Sequence, residues 1–352
     1  CQLVGDDDRH TGRPTANRTA ERYKLFGTDL GVSFRHKNRT YLLFGDTVGP
    51  RGGDALAWTT DTNPDNGLDL TFRADADGYL PLTIPGIRQG AFEVPMAGVS
   101  LGGRMYVYHT TDHTDAVTMG RSVLAASDDD GATFRWLYDL STRRFINVSL
   151  VTVEARPWPG LPMRSGRALL LFGSGTYRQS DVRLACQPAR QIEDSAAIRY
   201  WTGLKDGRPR WSPHEADAAP LFDHPVVGEL SVTWNPYLSR WIMLYNSTHP
   251  RGIVLRTAER PWGPWSDALM LFDPWRDGGY GVFMHVSRAA GGSDALSDPG
   301  REDEWGGEYG PYQLAESARG RTGESTIYFT MSTWNPYTVV LMRARLALAP
   351  RG

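Results

Sequence analysis

Residues 28–34 read Thr-Asp-Leu-Gly-Val-Ser-Phe, and residues 41–47 read Tyr-Leu-Leu-Phe-Gly-Asp-Thr. Both stretches are rich in β-branched and aromatic side chains, and the polar residues between them are typical of a loop that joins antiparallel strands. In the predicted hairpin the start of the first strand lies beside the end of the second. We therefore expect Asp29 and Asp46 to lie close together at one end.

Two carboxylates placed side by side are candidates for acid–base chemistry. Mutual repulsion and partial burial can drive their pKa values apart, so that one group keeps its proton while the other ionises. For Asp29 or Asp46 taken singly, a turn cap or a solvated strand end is an equally good interpretation. The pattern in the rest of the chain bears on the choice between a catalytic and a structural role for these aspartates.

The same hairpin recurs along the sequence. A shift of 200 residues places Asp29 on Glu229 and Asp46 on Asn246 without a gap. Further hairpins are predicted at 97–110, 148–173, 230–246 and 326–344. Apolar residues alternate or cluster in short runs and do not recur at helical spacing. Five units of about 70 residues each predict an all-β chain, a five-bladed β-propeller, with residues 1–352 as a single catalytic domain.

Composition restricts the class of partner. The formal net charge is -2 and the 38 basic residues are scattered, which argues against nucleic acid or an anionic lipid surface. No apolar run approaches the ~20 residues of a transmembrane helix. The 12 tryptophans suit sugar binding because aromatic faces stack on sugar rings, although most of them should belong to the core. A polysaccharide or oligosaccharide is the expected partner.

In a propeller the first strand of each blade lines the central channel, so residues at the strand beginnings converge on one mouth. Asp29, Asp46 and Glu229 are the predicted catalytic carboxylates. The predicted substrate-binding residues, which should surround the same pocket, are Glu93, Asn147, Trp234, His285, Tyr309 and Tyr312. The segment 283–286 is predicted as an apolar strand, and a hydrogen-bonded core histidine is the alternative for His285.

Residues 127–134, Ser-Asp-Asp-Asp-Gly-Ala-Thr-Phe, match the Asp-box that stabilises hairpin turns in sialidase-type propellers. The predicted role is structural, because the aspartate accepts turn N–H groups and the glycine supplies a positive φ. A structural Ca²⁺ is the alternative, but no twelve-residue loop with regular ligand spacing follows. With only two cysteines there is no Cys-based zinc site, and we expect neither a cofactor nor a catalytic metal.

The chain begins at Cys1, which suggests a processed or trimmed N-terminus. We expect a secreted or cell-envelope-associated protein. A lipid anchor on Cys1 after removal of a signal peptide is one form of this expectation.

Serine-hydrolase, zincin and nucleotide-binding motifs are missing from the sequence, which leaves carboxylate chemistry. Four stretches carry a family resemblance: Gly27-Thr28-Asp29-Leu30-Gly31, Phe44-Gly45-Asp46-Thr47, Gly228-Glu229-Leu230-Ser231-Val232-Thr233-Trp234-Asn235-Pro236 and Tyr328-Phe329-Thr330-Met331-Ser332-Thr333-Trp334-Asn335-Pro336-Tyr337. Over nearly its whole length the chain resembles domain of unknown function 4185, whose members have been assigned to glycoside hydrolase family 183. These are endo-acting D-arabinanases that cut the D-arabinofuranan of mycobacterial arabinogalactan and lipoarabinomannan. The resemblance implies a five-bladed propeller and an inverting mechanism with Asp29 and Asp46 as the essential pair, and it supplies no third acid.

Inversion requires carboxyl groups about 6.5–9.5 Å apart, whereas retention requires about 5–5.5 Å. Asp29 and Asp46 lie on adjacent strands, while Glu229 belongs to a blade across the channel. We therefore expect one aspartate to be the base and the other to orient it or tune its pKa. Glu229 would donate the proton or bind a sugar hydroxyl.

Three other functions stay open. Another furanoside could be the substrate of a related propeller enzyme. A sialidase would need an arginine cluster and a tyrosine nucleophile paired with a glutamate. A non-catalytic glycan-binding propeller would not need the aspartate pair.

Overall fold

In the computed structural model, which describes residues 1–114, 118–298 and 300–349, the chain forms five antiparallel sheets arranged around one axis. The first strands of the five sheets contact one another in a closed ring. This is the five-bladed β-propeller that the repeat predicted.

The blades are numbered in chain order, and their strands are given from the axis outward. Blade 1 contains Gly27–His36, Arg39–Val48, Asp54–Thr59 and Thr71–Phe72, with Pro81–Leu82 also paired to its third strand. Blade 2 contains Pro95–Leu101, Arg104–Thr111, Arg121–Ser127 and Arg135–Ser141. Blade 3 contains Asn147–Glu154, Arg167–Ser174, Arg183–Pro188, Arg199–Lys205 and Arg208–Ser212. Blade 4 contains Val227–Asn235, Arg240–Thr248, Arg251–Ala258 and Leu269–Phe272.

Blade 5 closes the ring with both ends of the chain. It contains Gly307–Gln313, Glu324–Trp334 and Thr338–Ala347, with Arg319–Arg321 paired to the start of its second strand. The N-terminal residues pair with the outer strand of this blade through an isolated bridge, in which Leu3 N donates to Val339 O at 2.8 Å and Leu341 N donates to Cys1 O at 2.7 Å. Pairing the two termini in one sheet ties the first blade to the last.

The helices are short. One α-helix, Thr19–Tyr23, precedes blade 1. The 3₁₀ turns are Pro64–Asn66, Ala189–Gln191, Ser195–Ala197, Glu215–Asp217 and Ala315–Ser317, and Ala74–Asp75 pairs with Gly78–Tyr79 in a small hairpin. Within the described ranges, none of the helices is long and apolar enough to cross a membrane.

The second strands are buried on both faces because each blade packs between two others. Residues 41–44 and 241–244 are all at most 3% exposed, which explains why they are continuous apolar runs and do not alternate. Val32 pairs with Leu43 and Val232 pairs with Met243. The gapless overlay at 200 residues is therefore the true equivalence of blades 1 and 4.

The Asp-box forms the turn between the third and fourth strands of blade 2. Asp129 Oδ1 accepts a hydrogen bond from Thr133 N at 2.8 Å, and Oδ2 accepts one from Thr133 Oγ1 at 2.7 Å. These bonds lower the pKa of Asp129 to about 2. The adjacent Asp130 bonds His36 Nε2 at 2.8 Å and so links this turn to blade 1.

We expect Asp129→Ala to lower the melting temperature by several degrees, because the turn loses its acceptors. Activity per folded molecule should be preserved, since the turn belongs to the outer half of its blade. Thermal unfolding and specific activity of the soluble fraction, measured on the same preparation, check both statements. A variant that melts like the parent but has lost activity would contradict the structural role.

Candidate active site

The first strands of the blades begin around one mouth of the channel, and there they enclose a cavity of about 620 Å³. Asp29, Asp46 and Glu229 all line it, together with Asn147 and Tyr309. The shift of 200 residues thus placed Asp29 and Glu229 correctly on two separate blades that face one space. Their catalytic role remains a prediction.

The hairpin of blade 1 holds Asp29 in a tight setting. Thr28 Oγ1 donates to Gly45 O at 2.7 Å, which joins the two aspartate-bearing strands next to the carboxylates. A Cβ on residue 45 would lie 2.8 Å from Asp29 Oδ1, so only glycine leaves room for that carboxylate. A bulge follows at Leu30 and Gly31, where φ is 68° and 87°. The bulge bends the strand directly after Asp29, so that the Asp29 side chain faces the cavity.

Asp29 is an unusual carboxylate because it is 6% exposed and has no cation beside it among its described contacts. Burial raises the pKa of Asp29 well above its ordinary value, and the charges of Asp46 and Glu229 raise it further. The hydroxyl of Tyr309 donates to Oδ2 at 3.0 Å and opposes the increase. Asp29 therefore holds a proton more readily than an ordinary aspartate does.

Asp46 is nearer to solvent, and its backbone lies in the left-handed region with φ 42°. Its two carboxylate oxygens accept the Phe92 N–H at 2.8 and 3.0 Å, and Tyr337 Oη donates to its backbone carbonyl at 3.0 Å. Burial raises the pKa of Asp46 to about 6, although the Phe92 N–H lowers it. The two aspartates of one hairpin therefore both titrate above the ordinary aspartate range.

Glu229 lies near the start of the first strand of blade 4 and is 6% exposed. Tyr177 Oη donates to Glu229 Oε1, and the Arg178 guanidinium lies 3.9 Å from Oε2. Among the described residues Oε2 has no hydrogen-bond partner. This oxygen is buried, in a side chain that lines the cavity.

A fourth carboxylate, Glu308, also lines the cavity at the start of blade 5. Its side chain is 2% exposed and lies 3.4 Å from Arg251 Nε. Burial raises the pKa of Glu308 above its ordinary value, and Arg251 opposes the increase. Unlike Asp29, this group has its own cation, so it is suited to hold Arg251 in place.

We expect Asp46→Asn to stabilise the protein at neutral pH. The pKa of Asp46 is raised from 3.8 to about 6, so between these pH values the folded state binds a proton that the unfolded state releases. The parent should lose stability as pH rises through that window and should not regain it above. The variant lacks this loss and should gain roughly 1–3 kcal/mol at pH 8, and the gain should vanish below about pH 4. Urea unfolding at both pH values tests this, and a destabilised variant at pH 8 would contradict it.

Four predicted site residues do not line the cavity. Glu93 is buried behind its rim, where it accepts bonds from Arg88 Nε at 2.7 Å and Gly90 N at 2.6 Å. Burial alone would raise the pKa of Glu93, but these bonds lower it below its ordinary value, so it is a structural anion.

Trp234 lies at the other mouth of the channel, where it lines a separate cavity of about 1030 Å³. Tyr312 also lines that cavity, but its buried side chain is close to the carboxylates, since burial and the charges of Glu229 and Asp29 raise its pKa. His285 is 1% exposed and its Nδ1 lies 3.1 Å from Asp294 Oδ2, which is the setting of a hydrogen-bonded core histidine. The segment 283–286 is not a strand and belongs to the connection between blades 4 and 5.

Other lining residues were not predicted. Tyr177 and Arg178 come from a connection within blade 3, and Arg251 and Glu308 come from blades 4 and 5. For Asn246 and Tyr337 a signal existed, since the overlay places Asn246 on Asp46 and Tyr337 ends one of the family stretches. Within the described ranges, no three His, Cys, Asp or Glu side chains are grouped so as to hold a metal ion.

Solved structures with the same fold have very different sequences. A GH43_1 enzyme from Xanthomonas citri has a TM-score of 0.51 and 12% identity, covering 93% of this chain and 89% of that one. CoXyl43, a GH43 beta-xylosidase/alpha-arabinofuranosidase from a compost microbial metagenome, has a TM-score of 0.50 and 11% identity, covering 92% of each chain.

No curated protein matches the sequence. One family model does, over residues 14–343. That range includes strands of all five blades and every carboxylate of the cavity. The chain therefore belongs to the family described as Domain of unknown function (DUF4185).

Proposed function

We propose that the protein is a glycoside hydrolase, an endo-D-arabinanase that cleaves D-arabinofuranosyl linkages within arabinan with inversion. The observation that carries this proposal is the convergence of Asp29, Asp46 and Glu229 from two blades on one cavity. The resemblance of the Thr-Asp-Leu-Gly and Phe-Gly-Asp-Thr motifs to endo-D-arabinanases supports the substrate. CoXyl43, an enzyme of similar fold, is by its printed name a beta-xylosidase/alpha-arabinofuranosidase, which supports the class of reaction.

Asp29 is the proposed general base. A base is most effective when its pKa lies near the working pH, and burial together with the charge of Asp46 raises the pKa of Asp29 in that direction. The Tyr309 hydroxyl fixes one of its oxygens at 3.0 Å. Water held by Asp29 would attack the anomeric carbon while Asp29 takes its proton. Asp46 acts on the pKa of Asp29 and orients the Phe92 segment.

Glu229 is the proposed general acid. It lies on blade 4, across the axis from blade 1, and its Oε2 has no hydrogen-bond partner within the described structure. From there a protonated Oε2 could give its proton to the leaving oxygen as the glycosidic bond breaks. Inversion needs carboxyl groups about 6.5–9.5 Å apart, and a base and an acid on separate blades are compatible with that spacing.

A sialidase is the second candidate, and Tyr177 is the observation that favours it. Its hydroxyl is bonded to Glu229, which resembles a tyrosine nucleophile with a glutamate partner. The arginines of the cavity favour arabinanase. The described arginines that line it are Arg178 and Arg251, and each already lies beside a carboxylate of the protein. A neutral furanose polymer does not need a free arginine cluster.

Digestion of purified mycobacterial D-arabinan, followed by chromatography of the products, tests the proposal. We expect a ladder of short arabino-oligosaccharides from the parent and a far smaller release of the same products from Asp29→Asn. Free arabinose alone would contradict endo action. No release from arabinan, together with release of sialic acid from a sialyl-oligosaccharide, would favour the second candidate. Binding of arabinan by the protein without cleavage would favour a glycan-binding propeller.

A further inference from the structure

Three aromatic side chains form a cluster at the edge of the cavity, on the long connection between blades 4 and 5. Trp305 lines the cavity. The Trp275 ring lies 5.3 Å from the Trp305 ring and 4.6 Å from Tyr280, and Tyr280 lies 5.2 Å from Trp305. The cluster therefore extends from the cavity outward over the surface.

The cluster is held rigidly. Asp273 Oδ1 accepts the backbone N–H of Trp275 at 2.9 Å, and the N–H of Tyr280 closes the same turn on Pro274 O at 2.9 Å. The Tyr280 hydroxyl donates to Gly306 O at 3.0 Å, directly beside Trp305. The backbone at Trp275 and the Tyr280 side chain are fixed before a ligand binds, which limits the conformational entropy lost on binding.

Trp275 keeps 63% of its surface exposed, more than any other large hydrophobic side chain in the described structure. Other exposed tryptophans have a covered face. Arg301 lies 4.0 Å over the Trp334 ring, and Arg121 lies 5.2 Å over the Trp136 ring. Exposing a large indole to water is unfavourable for folding. An exposed indole that continues the wall of a cavity therefore indicates a surface that binds a ligand.

We propose that Trp275 and Trp305 form a stacking track for sugar units of the polysaccharide chain that lie beyond the cleaved bond. The identity of the polysaccharide rests on the proposed function, whereas the track rests on the geometry. Sugar rings offer apolar faces to an indole and hydroxyl groups to its polar surroundings, which suits a surface of this kind. A chain that runs from the cavity along the track would give long substrates a contact that short substrates lack.

Trp275→Ala should therefore raise KM for polymeric D-arabinan at least about fivefold, as expected for loss of a central aromatic contact. KM for a 4-nitrophenyl arabino-disaccharide should not change, because it is too short to reach Trp275. Trp275→Phe should restore most of the affinity for the polymer. Trp136→Ala, which removes an exposed tryptophan of blade 2, is the matched control and should behave like the parent.

Equal KM values of Trp275→Ala and parent for the polymer would overturn the track, and so would equal increases for both substrates. Affinity electrophoresis in gels containing D-arabinan, galactan or xylan separates this outcome from failure of the proposed function. If the parent cleaves no arabinan, the endo-D-arabinanase proposal fails. Retardation of the parent by one of these polysaccharides, weakened in Trp275→Ala, would still support the track, and unchanged mobility of the parent in all three gels would overturn it.

Discussion

Asp29→Asn is expected to reduce turnover of D-arabinan by about two to four orders of magnitude, the range for loss of a general acid or base. The amide keeps the shape of the side chain and can still accept the Tyr309 hydroxyl, but it cannot take a proton from water. Because the substitution removes a buried charge next to Asp46, it should not destabilise the fold at neutral pH. Initial rates and thermal unfolding of the same preparation provide the measurement.

Asp75→Asn is the matched control for Asp29→Asn. Asp75 is exposed and lies 2.9 Å from Arg51, away from the cavity. Its variant should keep full activity. Full activity in Asp29→Asn would remove that residue from the mechanism, and an inactive variant that is also unfolded would show a structural role.

Glu229→Gln should separate the acid from the base. On arabinan we expect a loss of about two to four orders of magnitude, because the leaving sugar oxygen needs a proton. On a 4-nitrophenyl arabino-oligosaccharide the loss should be small, since nitrophenolate leaves without protonation. Asp29→Asn should lose activity on both substrates. For each variant, the loss of kcat/KM on arabinan is compared with the loss of kcat/KM on the nitrophenyl substrate, and this comparison checks the assignment.

If Glu229→Gln lost the same activity on both substrates, Glu229 would be a substrate-binding residue or the general base. If instead Asp29→Asn kept its activity on the nitrophenyl substrate and Glu229→Gln lost it, the proposed roles of the two residues would be exchanged. Glu259→Gln is the control, because Glu259 is a 71% exposed partner of Arg240 on blade 4. It should match the parent on both substrates.

The parts of the fold that depend on local pattern could be predicted from sequence. The hairpin of blade 1 brings Asp29 and Asp46 together through pairing between neighbouring strands, which follows from strand composition and loop type. The overlay on blade 4 worked because strands packed between blades need continuous apolar runs at matching positions. Glu229 followed directly from that overlay.

Position along a strand explains why some predicted residues lie elsewhere. Trp234 stands five residues after Glu229, which is about 16 Å along a strand, enough to place it at the other mouth. Tyr309 lines the cavity, whereas Tyr312 follows a register shift in the same strand and lines the opposite one, although its side chain remains close to Glu229 and Asp29. His285 could not be placed because its segment belongs to a long connection with no strand pattern of its own.

Contacts between blades could not be read from the sequence either. Tyr177 of blade 3 donates a hydrogen bond to Glu229 of blade 4, and Arg251 of blade 4 forms an ion pair with Glu308 of blade 5. No spacing in the sequence relates these partners, which are 52 and 57 residues apart. The residues that set the electrostatics of the cavity therefore emerged only from the packed structure.

Proton NMR of the first-formed products of arabinan cleavage, recorded before mutarotation, tests the mechanism most directly. With Asp29 as the base and Glu229 as the acid across the channel, the new reducing end should appear with the anomeric configuration opposite to that of the cleaved linkage. Product that keeps the substrate's configuration would contradict the inverting mechanism and would require a covalent intermediate on one of the cavity carboxylates.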